Sequence, residues 1–436
     1  MKGPLLSSIG FLMTCMLALS FPSCRKDAPA PGSSTTRARP GKAALEVAAK
    51  PAAPVEMVLW HSYREGEKKA IEEVAKAFNA GQKRIHLKLM NIPYDAMVDK
   101  ITIATPRGQG PDLFIFAHNL IGDWVDNYHI LEPISQKVDQ ATLKRFIPRT
   151  VKALVYKRSL YGLPMAFKSL ALFYDPDVIS TPPSTGDELF KAAVAATDTK
   201  TGRYGLVYEA SMLYFDAPFI HGFGGVILDA AGRPHVADAP VVQALTWVKR
   251  LVKAGAVPKG VNSAMVTSLF NEGKAAMVIS GPWFLGEIAK EKKFSVAMLP
   301  KMKPDSMARP FLGSEAVFMS SYSRHKKEAL EVMLYLTSDE SAMTRIKIGR
   351  QTVANETVYA SADVRADHVV SMFRAQAENS VLMPSAPQMQ AVWSTMDMAI
   401  NQAVFGDVDP AAALEKAQKK IESDISKMKG TGRSMH

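Results

Sequence analysis

Cysteine is nearly absent from this 436-residue chain, and both copies, Cys15 and Cys24, fall within the first 24 residues. The body therefore holds no thiol to form a disulfide, bind zinc or act as a nucleophile. The nine histidines show no His-x-x-x-His or His-Glu-x-x-His spacing, so a metal site has no foothold either. Acidic excess is also lacking: Lys+Arg number 53 against Asp+Glu 42. Residues 1–55 hold seven basic and two acidic residues, which leaves only a mild basic excess elsewhere. With no Lys/Arg block and no RNP-like aromatic motif, nothing calls for nucleic acid. No internal repeat period is found. What is present, 47% hydrophobic and 22% charged residues, is the balance of a folded globular chain long enough for two or three domains.

Short motifs mostly fail. Gly222-Phe223-Gly224-Gly225 begins like a dinucleotide fingerprint, but Ile227 replaces the last glycine. Gly273-Lys274 has Ser268 where a phosphate loop needs glycine and Ala275 where it needs a hydroxyl. Ser323-x-x-Lys326 and Lys200-Thr201-Gly202 stand in the reverse of the order that penicillin-recognising enzymes use. No paired-carboxylate or nucleophile constellation can be located, so neither an enzyme nor a cofactor is expected.

The N-terminus reads as an address. Lys2 precedes a charge-free, largely apolar stretch from Gly3 to Cys24, the layout of a secretory signal. Cys24, preceded by the small Ser23, resembles the lipidated cysteine of a bacterial lipoprotein, although Phe21 and Pro22 fit that pattern badly; an ordinary signal cleaved nearby is the alternative. Residues 25–54 are rich in Ala, Pro, Gly and Ser with no aromatic residue, so they cannot offset the ordering entropy of a core. A flexible tether behind a membrane anchor has this composition.

From Val55 the pattern changes to alternating strands and helices. VEMVLW, IHLKLMNI and PDLFIFA read as strands, with helices between them that include Ile71, Val74, Ala75 and Phe78 on one face. This β-α-β-α-β order predicts a mostly parallel sheet. A second set spans LYGLPM, SLALFYD, RYGLVY, GKAAMVI and FSVAMLP, and the last third is mainly helical, with Asp409 capping a helix that has Pro410 at its first position. Ligands of open α/β sheets bind beyond the carboxyl ends of the strands, which directs attention to the turns after VEMVLW, PDLFIFA and PMAF. Tyr214, Phe215, Phe219, Phe223, Trp283 and Trp393 lie in segments that also carry Gly or Pro. Aromatic plates bounded by polar side chains suit a saccharide, whose rings have apolar faces and hydroxyl edges; the alternative is that these aromatics are core.

The run Gly110-Pro111-Asp112-Leu113-Phe114-Ile115-Phe116-Ala117-His118-Asn119 resembles the maltose/maltodextrin-binding proteins of bacterial ABC importers, the extracellular solute-binding proteins of family 1. So do Tyr161-Gly162-Leu163-Pro164-Met165-Ala166, Leu172-Phe173-Tyr174-Asp175, Phe270-Asn271-Glu272-Gly273-Lys274-Ala275-Ala276-Met277 with Gly281-Pro282-Trp283, and Met383-Pro384 with Pro387-Gln388-Met389 and Trp393. The resemblance covers about Val55 to Ile421. It implies an α/β two-lobe periplasmic-binding-protein fold of type II, with parallel-type mixed sheets flanked by helices and a ligand cleft that closes by a hinge. The expected parts are a signal over 1–24, a tether over 25–54, one lobe from 55–166 plus 317–365 and another from 167–316 plus 366–436.

Carried over position by position, the resemblance implies that Trp283, Trp393 and Tyr214 stack on sugar rings, with Phe215 beside them and Phe116 where the family usually has tryptophan. The polar partners differ. Asn119 and Leu120 replace an Asp-Arg pair, Lys168 replaces a glutamate, Met212-Leu213 replace Glu-Pro, and Asp397 replaces an arginine. Tyr63, Arg64 and Glu65 occupy the first turn, and Glu315 lies near the crossing between lobes. Because a site reads hydroxyls through its particular donors and acceptors, these changes imply a ligand other than maltose: another disaccharide, or a sugar with an acidic group facing Lys168 or Arg64. The resemblance further implies a monomeric receptor, exported and tethered through Cys24, that serves ABC permease subunits in the inner membrane. A signalling or scaffold lipoprotein that kept the fold, a receptor for a non-sugar ligand, and an extracellular hydrolase are the competing readings.

Overall fold

In the computed structural model, residues 53–431 are described; the signal, Cys24 and nearly all of the tether lie outside them. Two sheets organise the chain. In the first, β1 (Val55–His61) pairs in parallel with β2 (Ile85–Asn91) on one side and β3 (Leu113–Ala117) on the other. The second is built from β5 (Ala171–Tyr174), β6 (Tyr204–Val207), β7 (Ala275–Ser280) and β8 (Ser295–Ala297), in the order β8-β5-β7-β6. The strand β4 (Gly162–Lys168) leads from the first to the second.

The expectation of mostly parallel sheets holds for β1, β2 and β3 but not throughout. β5 is antiparallel to both β7 and β8, leaving β6 with β7 as the parallel pair. The larger departure is β9 (Phe311–Met319), nine residues long and absent from the strands expected. It runs antiparallel to β3 and to β4, while its first two residues pair with β10 (Val381–Leu382). Gly313 and Ser314 interrupt its apolar run, which hides it from a reading by hydrophobic pattern alone.

The cores show why β9 has this length. Ala316, Val317, Phe318 and Met319 belong to the core of the first sheet, with Trp124 edge-on to Phe114 at 5.2 Å and to Phe318 at 5.9 Å. Phe311 belongs instead to the core that covers one face of the second sheet, and Leu312 to the core on its other face. β4 divides the same way: Leu163 and Met165 pack in the first core and Phe167 in the second sheet's. Both strands thus pass from one hydrophobic core to another, side by side, with Gly313 opposite Lys168.

The helices follow the apolar periodicity. α1 (Glu65–Gly81) buries Ala70, Ile71, Val74, Ala75 and Phe78, the face expected from the sequence. α2 (Tyr94–Ala104) follows β2, and α3 (Leu213–Gly222) follows β6. α4 (Asp339–Gly349) packs along α1. α5 (Met389–Ile400) lies beside the long helix Pro410–Thr431, whose first-turn amides donate to Asp409 Oδ1 at 2.9 and 3.2 Å, as the Asp-Pro start predicts.

Candidate functional site

Most of the candidate residues come from strand ends, loops and helix starts at the carboxyl ends of the strands; Trp393 and Asp397 lie within α5 and Glu315 within β9. Tyr63, Arg64 and Glu65 follow β1, Phe116 is the last residue but one of β3, Lys168 ends β4, and Trp283 follows β7. Lys168 and Glu315 lie on the two crossing strands, within the short span where both leave one core for the other.

A wall of aromatics stands against the second sheet's core. Trp283 lies 6.3 Å from Tyr214, Tyr214 is stacked on Phe311 at 6.4 Å, and Phe311 meets the edge of Trp393 at 5.9 Å. Phe215 closes the group edge-on to Tyr214 at 5.5 Å. Phe311, 1% exposed, is the hub, and sequence reasoning missed it because it sits in the unrecognised strand β9. Tyr214, Phe215, Trp283 and Trp393 are only partly buried, so they are the residues that keep ring surface outside the core. Of the other aromatics considered, Phe219 is core, packed on Trp247 at 4.8 Å.

Two details fix this wall. Gly281 permits the Trp283 pose: a Cβ there would stand 2.1 Å from the indole Cζ3, so the ring lies directly over the glycine. Asp397 Oδ1 accepts the Leu213 backbone N–H at 2.7 Å, satisfying a donor in the first turn of α3, the helix that carries Tyr214 and Phe215. Burial pushes the Asp397 carboxyl up, against that hydrogen bond. The structure gives Asp397, expected as a ligand contact, the task of holding α3.

The polar floor is a cluster of paired charges. Tyr63 donates its hydroxyl to Glu315 Oε1 at 2.5 Å. The Lys168 ammonium lies 2.6 Å from Glu67 Oε1 and 3.7 Å from Glu315 Oε2. Burial disfavours the charge on Lys168, but Glu315 and Glu67 outweigh it and hold the lysine protonated. Burial raises Glu315, with Lys168 pulling the other way. Beneath them Arg345, fully buried on α4, donates to the Met165 carbonyl at 2.8 Å and to Gln351 Oε1 at 3.2 Å. Arg345 and Glu67 were not singled out from the sequence, since each looks like one charge among many on a helix. Two cations thus face two carboxylates, and Lys168 is already compensated without an acidic ligand.

At the rim, Arg64 is 64% exposed and reaches Glu287 at 3.6 Å, joining the start of α1 to the turn that follows Trp283. Glu65 is exposed, with φ of 41°. Gly286 lies beside it, where an added Cβ would meet the Glu65 Cβ at 3.8 Å.

Three polar side chains, two on α5 and one just after β3, have no hydrogen-bond partner among the described residues. They are Trp393 Nε1 and Gln390 Nε2, one helical turn apart on α5, and the half-buried side-chain amide of Asn119. Buried donors without partners are costly, so a hydroxyl group that reached these would satisfy them. Two surface cavities, about 530 and 840 Å³, lie away from the aromatic wall and the charged floor; of the aromatics named from the sequence, Phe223 alone lines one of them. Among the described residues no cluster of His, Cys, Asp or Glu could hold a metal, and no helix is long and apolar enough to cross a membrane.

The chain is similar in sequence and fold to known proteins. The family model for bacterial extracellular solute-binding proteins matches residues 63–343. A maltotriose-binding protein of Pyrococcus abyssi is 27% identical, over 85% of this chain and 82% of its own length. A maltooligosaccharide ABC transporter solute-binding lipoprotein of Streptococcus pneumoniae is 25% identical, over 84% of this chain and 88% of its own. The solved structure of a Thermus thermophilus maltotriose-binding protein with maltotriose superposes with a TM-score of 0.76 at 26% identity, covering 85% of this chain and 100% of that one.

Proposed function

The chain belongs to the bacterial extracellular solute-binding proteins, and we propose that it captures a neutral oligosaccharide of the malto-oligosaccharide class for the permease subunits of an ABC importer in the inner membrane. The fold is the two-lobe binding-protein fold of type II and the role is that of the substrate-binding component of a sugar transporter. An exported, envelope-associated location follows from the family. Tethering through Cys24 remains part of the proposal, as do a monomeric state, the absence of any chemistry, and lobes of 55–166 plus 317–365 and 167–316 plus 366–436.

The observation that carries the ligand class is the aromatic wall Trp283–Tyr214–Phe311–Trp393 with unpartnered donors on the same helix as Trp393. Rings offer dispersion and C–H contact to sugar faces, and the free donors offer hydrogen bonds to the hydroxyl edges. Neutrality follows from the charges: Lys168 faces Glu67 and Glu315, and Arg64 faces Glu287, so an anionic sugar would have to displace an existing carboxylate. Closure around the ligand would bury the rings on both sides.

Titration calorimetry with maltose, maltotriose, maltotetraose, a galacto-oligosaccharide and a uronate-containing disaccharide tests this reading. Saturable binding of a neutral member is expected; binding of the uronate sugar alone would restore the acidic-ligand expectation, and no binding of any sugar would remove the saccharide assignment.

A further inference from the structure

Resting on the saccharide reading, we propose that Tyr94, at the start of α2, is the aromatic plate of the first sheet's side of the site, and that Phe116 serves only as its backing. Phe116 was expected to meet the ligand, because it falls where the family usually has a tryptophan. The structure buries it: Phe116 is 4% exposed, packed against Trp124 at 5.7 Å and covered on its other side by Tyr94. The two rings lie 5.2 Å apart with an interplanar angle of 20°, an offset stack. Tyr94 is 56% exposed, an unusual state for an aromatic ring already stacked on a core residue.

The position of Tyr94 points the same way. Phe116 and Ala117 close β3, pairing with Ala316 and Glu315 of β9 respectively, so the Phe116 ring stands next to the crossing. The Tyr94 hydroxyl has no hydrogen-bond partner among the described residues, and it lies within electrostatic reach of Glu315 and Lys168 on the floor and of Tyr214 on the opposite wall. The ring therefore stands between the charged floor and the second aromatic wall, with one face on Phe116 and the other free. Phenylalanine makes a short plate on β3, and tyrosine from the neighbouring helix start covers it. A sugar unit bound there would meet Tyr94 on one side and the Tyr214 group on the other, with the Tyr94 hydroxyl free to bond a ring hydroxyl.

The test is titration calorimetry of the whole protein with maltotriose and maltotetraose, on Tyr94→Ala, Tyr94→Phe, Phe116→Leu and the unaltered chain, with thermal unfolding run alongside. Tyr94→Ala is expected to weaken binding about tenfold with little change in unfolding temperature, and Tyr94→Phe to restore most of the loss, since the ring is kept. Phe116→Leu is expected to lower stability more than affinity. If Tyr94→Ala binds as the unaltered chain does, the plate assignment is overturned while the saccharide reading stands. If the unaltered chain binds neither sugar nor any other saccharide, the reading beneath it fails. A Phe116→Leu variant of full stability whose affinity falls more than that of Tyr94→Ala would return the contact to Phe116.

Discussion

The Lys168 ammonium lies 2.6 Å from the Glu67 carboxylate, tying the end of a strand that crosses between two cores to the first turn of a helix on the first sheet. Both side chains are about 15% exposed, as is Glu315, the second partner of the lysine. An ion pair so placed contributes little net stability as a whole, yet removing one member leaves the other buried and uncompensated. Lys168→Ala should therefore destabilise the protein by about 3 kcal/mol. Adding Glu67→Gln should recover a substantial part of it. Denaturant unfolding of the two variants and the unaltered chain checks this, and an additive rather than compensating double mutant would show that the pair is not coupled.

A second expectation concerns Gly281. Because an added Cβ would stand 2.1 Å from the Trp283 ring, Gly281→Ala must displace the indole. The fold can accommodate this, since Trp283 is at the edge of its core rather than inside it. Saccharide affinity should fall as far as in Trp283→Ala, roughly tenfold or more, while circular dichroism is unchanged. Binding that survives Gly281→Ala but not Trp283→Ala would mean that the ring finds a second productive pose.

Arg64 and Glu287 make a third case. Their 3.6 Å contact joins the start of the helix on the first sheet to the turn that carries Trp283. With the arginine largely exposed, the pair contributes at most about 1 kcal/mol, so Arg64→Ala should weaken ligand binding no more than about fivefold. The effect should shrink at high salt, where exposed charges are screened. Calorimetry at low and high ionic strength measures it, and a salt-independent loss would point to direct ligand contact by Arg64.

Much of this was legible in the sequence because it rests on local pattern. The helix face of Ile71, Val74, Ala75 and Phe78, the Asp409-Pro410 cap, strands β1 to β8 and the aromatic positions Tyr214, Trp283 and Trp393 all follow from periodicity, capping chemistry and family resemblance. What stayed hidden depends on long-range packing. β9 carries Gly313 and Ser314 inside an apolar run, so its pattern is broken where the two cores exchange, and with it Phe311 was lost as the hub of the aromatic wall. Arg345 and Glu67 are surface-like letters on amphipathic helices, and only the approach of α4 and α1 to the crossing strands makes them part of the floor. Tyr94 was overlooked because stacking on Phe116 is a contact between segments more than twenty residues apart.

The last expectation is a pH dependence centred on His118. Its ring is fully buried at the end of β3: Nδ1 accepts the Ser314 backbone N–H at 3.0 Å, and Nε2 donates to the Met383 carbonyl at 2.8 Å. It thereby ties β3 to the crossing strand β9 and to the segment preceding α5. Burial holds the imidazole down to about 4, against an ordinary 6.5. A group lowered on folding favours the neutral form in the folded chain, so its contribution is present above pH 6.5 and is lost as the pH falls through 4. The size is about 3 kcal/mol by linkage, since one unit corresponds to roughly 1.4 kcal/mol. His61 and His221, also buried and also lowered to about 4, add to the same window. Stability from denaturant unfolding should thus decline between pH 6.5 and 4. A His118→Gln variant, whose amide can donate and accept but cannot take up a proton, should be less stable than the unaltered chain at pH 7.5 and should show a shallower decline. An unchanged slope in His118→Gln would assign the acid sensitivity to the other two histidines instead.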